Sequence, residues 1–275
     1  MSRRRSTRAL VSLVLLGVLA LGAVAAPWLA PYDPARLELA ATLAPPGAAH
    51  WMGQDKLGRD IFSRVLHGGR VSLAIGLATV ASWVLIGGGV GALAGYAGGW
   101  IDDVLMRMVD VLLAFPGLLL AIALAGLLGP SLRNVLLALC LIGWTGYARL
   151  VRGEVHRLRE REFVEAARAL GAPPRRIVWR HIAPLLAAPL LVQATFGMAG
   201  AIVAEASLSF LGLGAQPPTP SWGSMLNDAR AFVLVAPHLT VFPGLAIMAT
   251  VLALNVLGDA LRDRFDVRAP ADLWH

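Results

Sequence analysis

The sequence predicts an all-α, polytopic membrane protein with about six transmembrane helices, on three observations: its composition, six long apolar stretches, and charge gathered on alternate connecting segments. Of 275 residues, 57% are hydrophobic and only 15% charged, with a mean hydropathy of +0.68. An average soluble domain carries roughly 25% charged residues. A water-soluble core of this chain length cannot hide so much apolar surface, and lipid accommodates the excess. About 20 apolar residues cross the roughly 30 Å hydrocarbon layer as a helix. Stretches 9–29, 71–96, 109–128, 134–151, 185–211 and 238–257 satisfy that length.

The first stretch follows Arg3, Arg4, Arg5 and Arg8 and contains Ala23-Val24-Ala25, which resembles a signal-peptidase site. The run is long for a signal sequence and five more apolar stretches follow, so an uncleaved anchor is the favoured reading. The connecting segment begins proline-rich (Pro31, Pro34, Pro45, Pro46) and turns into LGRDIFSRVLHGGR, where Leu57, Ile61, Phe62, Val65 and Leu66 recur at helical spacing. Two readings fit: an amphipathic helix lying on the membrane face, or an N-terminal extension of the second membrane helix.

In the second stretch Gly87, Gly91 and Gly95 recur every four residues, which stacks them on one helix face and predicts a close helix–helix seam. Near the start of the third, Asp110 stands one turn from Arg107 and is expected to pair with it. In the fifth, Glu205 is an ionisable group inside an apolar run, a costly placement that by itself suggests function. Ser209, one turn later, shares its face. The pair is therefore a candidate for lining a path through the membrane, against the alternative that Glu205 is a hydrogen-bonded packing residue. The loop from 214 to 237 holds Pro217, Pro218, Pro220 and Trp222, read as a stiff surface turn with an interfacial aromatic anchor. Asn255 and Asp259 on the last helix suit its hydrated end.

The net charge of +7 and isoelectric point near 10.8 reflect topology and affinity for anionic lipid more than nucleic-acid binding. Nine arginines lie between 149 and 180, four precede the first stretch, and Arg262, Arg264 and Arg268 follow the last. The positive-inside rule then puts both termini and the 152–184 segment in the cytoplasm. Cys140 is the single cysteine, so neither an intrachain disulfide nor a cysteine-based zinc cluster is available. His50, His67, His156, His181, His238 and His275 are scattered, and no metal centre is expected. Lys56, the only lysine, does not sit in a phosphate-binding loop. No nucleophile motif for covalent catalysis is present. No catalytic residue and no cofactor are expected in this chain. An ATP-independent transporter or channel would call for inverted repeats and broken midplane helices with ion-coordinating groups, and the sequence reads as having neither.

The segment from 149 to 184 is the one large hydrophilic excursion on the arginine-rich side. Residues 151–170 predict a helix, stopped by Gly171 and Pro173-Pro174, and a second helix begins at Pro174. Within it, EAARALGAPPRRIVWRHIAP (165–184) resembles the EAA loop of binding-protein-dependent ABC importer permeases. Ala183 stands where that motif prefers leucine, a conservative departure at the re-entry point. HWMGQDKLGRDIFSRVLHGGRVSL, DVLMRMVDVLLAFPGLLLAI, AEASLSFLGLGAQPPTPSWGSMLNDAR and LNVLGDALRDRFDVR are similar to blocks of the dipeptide, oligopeptide and nickel branch, specifically its second permease subunit. These blocks cover most of the chain from His50 to Arg268; the first 49 residues carry no distinctive match.

The resemblance implies a type I ABC importer permease (MetI-like) fold in the bacterial inner membrane. It implies that Glu165, Ala166, Ala167 and Gly171 seat in a groove of a cytoplasmic ATPase subunit. It also implies a homologous permease partner, two ATPase subunits that bind ATP and Mg, and an outer substrate-binding protein. The expected division is an N-terminal anchor and outer segment over 1–70, a permease domain over 71–268 with its coupling loop at 152–184, and a tail over 269–275.

Overall fold

A computed structural model describes residues 2–265, with side chains from residue 9 onward. Arg268, His275 and the 269–275 tail lie outside the described residues. Among those residues there is no β-strand beyond one isolated bridge between Gln54 and Asp60.

All six apolar stretches fall on helices. The chain opens with α1 (Ser2–Val24) and a short continuation α2 (Ala26–Leu29). Helices α3 (Ile61–Ala97), α6 (Leu132–Arg159), α11 (His238–Phe265) and the continuous Pro174–Phe210 segment are each long and apolar enough to cross a membrane. Leu10, Val11, Leu21, Leu85, Leu127 and Leu141 are more than half exposed, which suits contact with lipid chains. The small residues of the signal-like Ala23-Val24-Ala25 have a packing role: Ala23 and Ala26 are buried, and Ala23 lies against Gly69 of α3.

The third stretch corrects the sequence reading. It is not one helix but α4 (Gly99–Leu113) and α5 (Gly117–Leu128), bent by 81° at the break. Pro116 supplies no backbone N–H and disfavours helical geometry at Phe115, so the chain turns there. Asp110 does not select Arg107; its Oδ1 accepts from Nη2 of Arg149 at 2.6 Å, tying α4 to α6.

The glycine seam forms as expected. A methyl group added at Gly87 or Gly91 would collide with the carbonyl oxygens of Trp144 and Ala148 in α6, and one at Gly95 would lie 2.8 Å from that of Arg152. The absence of side chains at these three positions lets α3 and α6 touch backbone to backbone. Trp83 fills the complementary gap at Gly143 and donates from Nε1 to the Leu139 carbonyl at 2.8 Å.

At one end of the bundle the segments before α3 and after α9 (Ala183–Phe210) fold together over α10 (Trp222–Ala229). From Ile61 onward the 57–70 segment is an extension of the membrane helix, since α3 runs unbroken from there. The reading of an amphipathic helix on the membrane face is corrected here, because Arg59 and Arg64 are 4% and 2% exposed. Arg59 bonds Asp55 at 2.6 Å and Asp228 at 3.1 Å, Lys56 bonds Asp228 at 2.7 Å, and Arg64 lies 3.5 Å from Asp55. Asp60 caps α3 by accepting from the Ser63 N–H at 2.7 Å, and pairs with His50 Nδ1 at 2.8 Å. Trp222 is likewise no interfacial anchor. It is 2% exposed, packs on Gly68 and Gly69, and donates from Nε1 to the Val65 carbonyl at 3.0 Å.

Candidate functional site

At the opposite end a helical hairpin projects from the bundle. The predicted 151–170 helix is interrupted: α6 ends at Arg159, Arg161 adopts an extended conformation (φ −84°, ψ 145°), and α7 runs Glu162–Ala169. That break folds α7 back across the end of α6. Val164 and Ala167, three apart and therefore on one face, enter a core with Val151, Val155, Leu158, Ile177, Ile182 and Leu186. Gly171 then turns the chain with φ +78°, a left-handed conformation that side chains resist. Pro174 opens α8 (Pro174–Ile177), which continues through a π-helical turn at Val178–Ile182 into α9.

The four residues of the expected docking set are not equivalent. Glu165, Ala166 and Gly171 are exposed on the outer surface of the hairpin. Ala167 is 8% exposed and packs into the subunit's own core, since an eight-residue helix on a bundle end buries one face. Leu170, at the tip, is 88% exposed and Phe163 41%. Spacing alone does not single these two out, but an apolar residue beside a left-handed glycine marks a surface a partner can cover.

A carboxylate cluster braces the hairpin's base. Asp102 of α4, nearly buried, accepts two hydrogen bonds from the Arg152 guanidinium, that from Nη2 at 2.6 Å, and lies 3.3 Å from His156 Nε2. Arg159 Nη1 donates to the Gly95 carbonyl at 3.1 Å. Sequence reasoning missed this group because Asp102 lies 50 or more residues from Arg152 and His156.

Glu205 and Ser209 sit near the other end of α9 and are brought together, and Ser209 also lines a cavity of about 220 Å³ with Arg64, Gln216, Asn227 and Asp228. Glu205 is 0% and Ser209 1% exposed. Ser209 Oγ donates to Glu205 Oε1 at 2.7 Å, and Ser72 Oγ of α3 donates to Oε2 at 3.0 Å. Ser72 Oγ in turn accepts from the Trp222 N–H at 3.3 Å, and Ser209 Oγ from the Ala215 N–H at 3.3 Å. Within this chain Glu205 is the hub of a buried polar joint linking α3, α9 and α10.

Comparison with known proteins gives these features a family. Residues 87–269 match the binding-protein-dependent transport system inner membrane component. Residues 4–46 match the N-terminal transmembrane domain of oligopeptide transport permease C, so the first 49 residues do carry a distinctive match. The dipeptide transport system permease protein DppC of Alkalihalophilus pseudofirmus is 45% identical over 263 residues, covering 96% of this chain and 86% of the relative. The glutathione transport system permease protein GsiD of Escherichia coli O6:K15:H31 is 48% identical over 264 residues, covering 96% and 87%. In fold, the chain is similar to the inward-facing MetNI methionine ABC transporter, with a TM-score of 0.56 at 18% identity over 73% of this chain and 95% of that one. The chain thus belongs to the binding-protein-dependent ABC importer permeases, in their peptide and oligopeptide branch.

Proposed function

We propose that this chain forms half of the translocation pore of an ATP-driven importer for short peptides or glutathione-like peptides, coupled through the 152–184 hairpin to an ATPase on a separate polypeptide. The observation that carries the reading is the hairpin: an exposed helix presenting Glu165, Ala166 and Leu170, locked from beneath by Val164 and Ala167 and turned by Gly171. Such a piece transmits force because its inner face cannot slide independently of α6 and α9. Glu165 offers a carboxylate to the partner, and Gly171 keeps the tip narrow. A homologous permease completes the pore, two ATPase subunits supply hydrolysis, and a substrate-binding protein delivers cargo at the end holding the Asp55–Arg59–Asp228 network. The arginine-rich hairpin end and both termini face the cytoplasm by the positive-inside rule. The permease unit spans 71–268, behind an anchor and outer segment over 1–70.

The relatives' names support peptide-like cargo and give no support to nickel complexes. Closure of the ATPases on ATP moves the hairpins of the two permeases together and exchanges inward-facing for outward-facing states, which must differ in their contacts for the coupling to operate. The chain itself performs no hydrolysis. The test is a reconstituted complex carrying Glu165→Trp or Gly171→Val. Uptake is expected to fall at least tenfold, with ATPase subunits dissociating or hydrolysing without transport. Full uptake with normal ATPase retention in both variants would remove the hairpin from the mechanism.

A further inference from the structure

The second limb of the hairpin carries a feature outside the Glu165–Gly171 docking set. Between the last third of α3 and the first turns of α9 runs a groove of about 490 Å³, walled by Leu85, Ala92, Leu93, Leu186 and Leu190. Its size lies within the range that encloses a substantial ligand. At the hairpin end it adjoins a second cavity, since Arg175 and Trp179 line both, and that cavity adds Arg176 and Arg180. All three arginines are exposed, and no acidic residue lines either cavity. Trp179 is 71% exposed, a ring with an apolar body and one polar N–H, the kind of residue that settles at headgroup depth.

The apolar wall belongs to membrane-crossing helices, and Ala97 at its foot is where α3 ends. The groove therefore opens at the membrane surface, with its length in one leaflet and its cationic mouth at the headgroups. We propose that one anionic phospholipid of the leaflet on the hairpin side docks here, an acyl chain in the groove and its phosphate among Arg175, Arg176 and Arg180. Charge complementarity selects this occupant. An apolar helix of a partner protein would cover the wall yet leave three clustered guanidinium groups without counter-charge, whereas a phosphodiester answers both halves at once. Surface-bound basic residues attract anionic lipid by roughly fivefold each. The inference stands independently of ATPase coupling, because it requires only that the chain crosses a membrane.

Native mass spectrometry of the complete importer in mild detergent, titrated with phosphatidylglycerol or phosphatidylcholine of equal chain length, tests it. The wild type is expected to retain phosphatidylglycerol at least tenfold better than phosphatidylcholine. Arg176→Gln/Arg180→Gln is expected to abolish most of that preference while leaving the groove open to both lipids. Gly89→Phe, at a groove-lining position where an added Cβ meets nothing within 4 Å, is expected to fill the groove and lower retention of both. Equal retention of the two lipids by the wild type would overturn the proposal. So would unchanged phosphatidylglycerol retention in both variants, or efficient disulfide capture of Leu93→Cys by the partner permease, which would assign the groove to protein.

Discussion

Replacing Gly91 with alanine puts one methyl group into the α3–α6 seam, where the two backbones touch. The added carbon would overlap the Ala148 carbonyl oxygen, which is backbone and cannot rotate away. Ordinary contact begins near 3.4 Å, and even the milder case, Gly95 against the Arg152 oxygen at 2.8 Å, requires α3 and α6 to part by about 0.6 Å. A gap of that order forfeits roughly a quarter to a half of each contact's dispersion energy along the seam. Overpacking of this kind costs about 1–3 kcal/mol, equivalent to a fall of roughly 5 °C in melting temperature for a chain of this length. Gly153, on the opposite face of α6, is the control, because a methyl there meets nothing within 4 Å. Alanine at that position improves helix propensity by up to about 1 kcal/mol. Thermal unfolding of the detergent-purified chain, followed by intrinsic fluorescence, compares them: Gly91→Ala falls by several degrees and Gly153→Ala holds or rises. Equal melting temperatures for Gly91→Ala and wild type would show that the seam is not close-packed.

Glu205→Leu leaves the Ser72 and Ser209 hydroxyls without their acceptor, at about 1–3 kcal/mol each, and is expected to reduce the yield of folded protein. Glu205→Gln keeps one carbonyl acceptor and is expected to retain uptake per folded complex; normal folding with lost uptake would place Glu205 on the pathway. Asp55→Asn removes one of the two carboxylates, Asp55 and Asp228, that face the buried Arg59 and Arg64 and is expected to destabilise the chain by about 1–3 kcal/mol, read as a fall in melting temperature. Single cysteines at Leu170 and Leu234, which are 88% and 98% exposed, should label from opposite membrane faces, Leu170→Cys from the cytoplasm. Labelling of both by one impermeant reagent in intact cells would contradict the assigned topology.

Short-range patterns were the legible part of this chain. Apolar runs located the spans, the four-residue glycine period located the α3–α6 seam, and Gly171 with Pro173-Pro174 located the hairpin turn, because each depends on neighbours within about a helical turn. Burial was not legible. Arg59 and Arg64 look solvated on a helical wheel, yet Asp228, more than 160 residues away, makes their burial affordable. Asp102 finds Arg152, and Glu205 finds Ser72, for the same reason: the partner is chosen by packing, which a one-dimensional pattern does not encode. The break at Pro116 was visible as a residue and overlooked as a consequence, since its surroundings are apolar enough to read as one span.

From Pro174 to Phe210 the backbone is helical without interruption, a strut about 55 Å long at 1.5 Å per residue. Its foot is the hairpin and its head is the Glu205 joint. Pivoting such a strut by about 5° displaces one tip relative to the other by about 5 Å, close to one helical turn. A small rotation imposed at the foot thereby arrives, geometrically amplified and without any relay of side chains, at the segments that cap the far end.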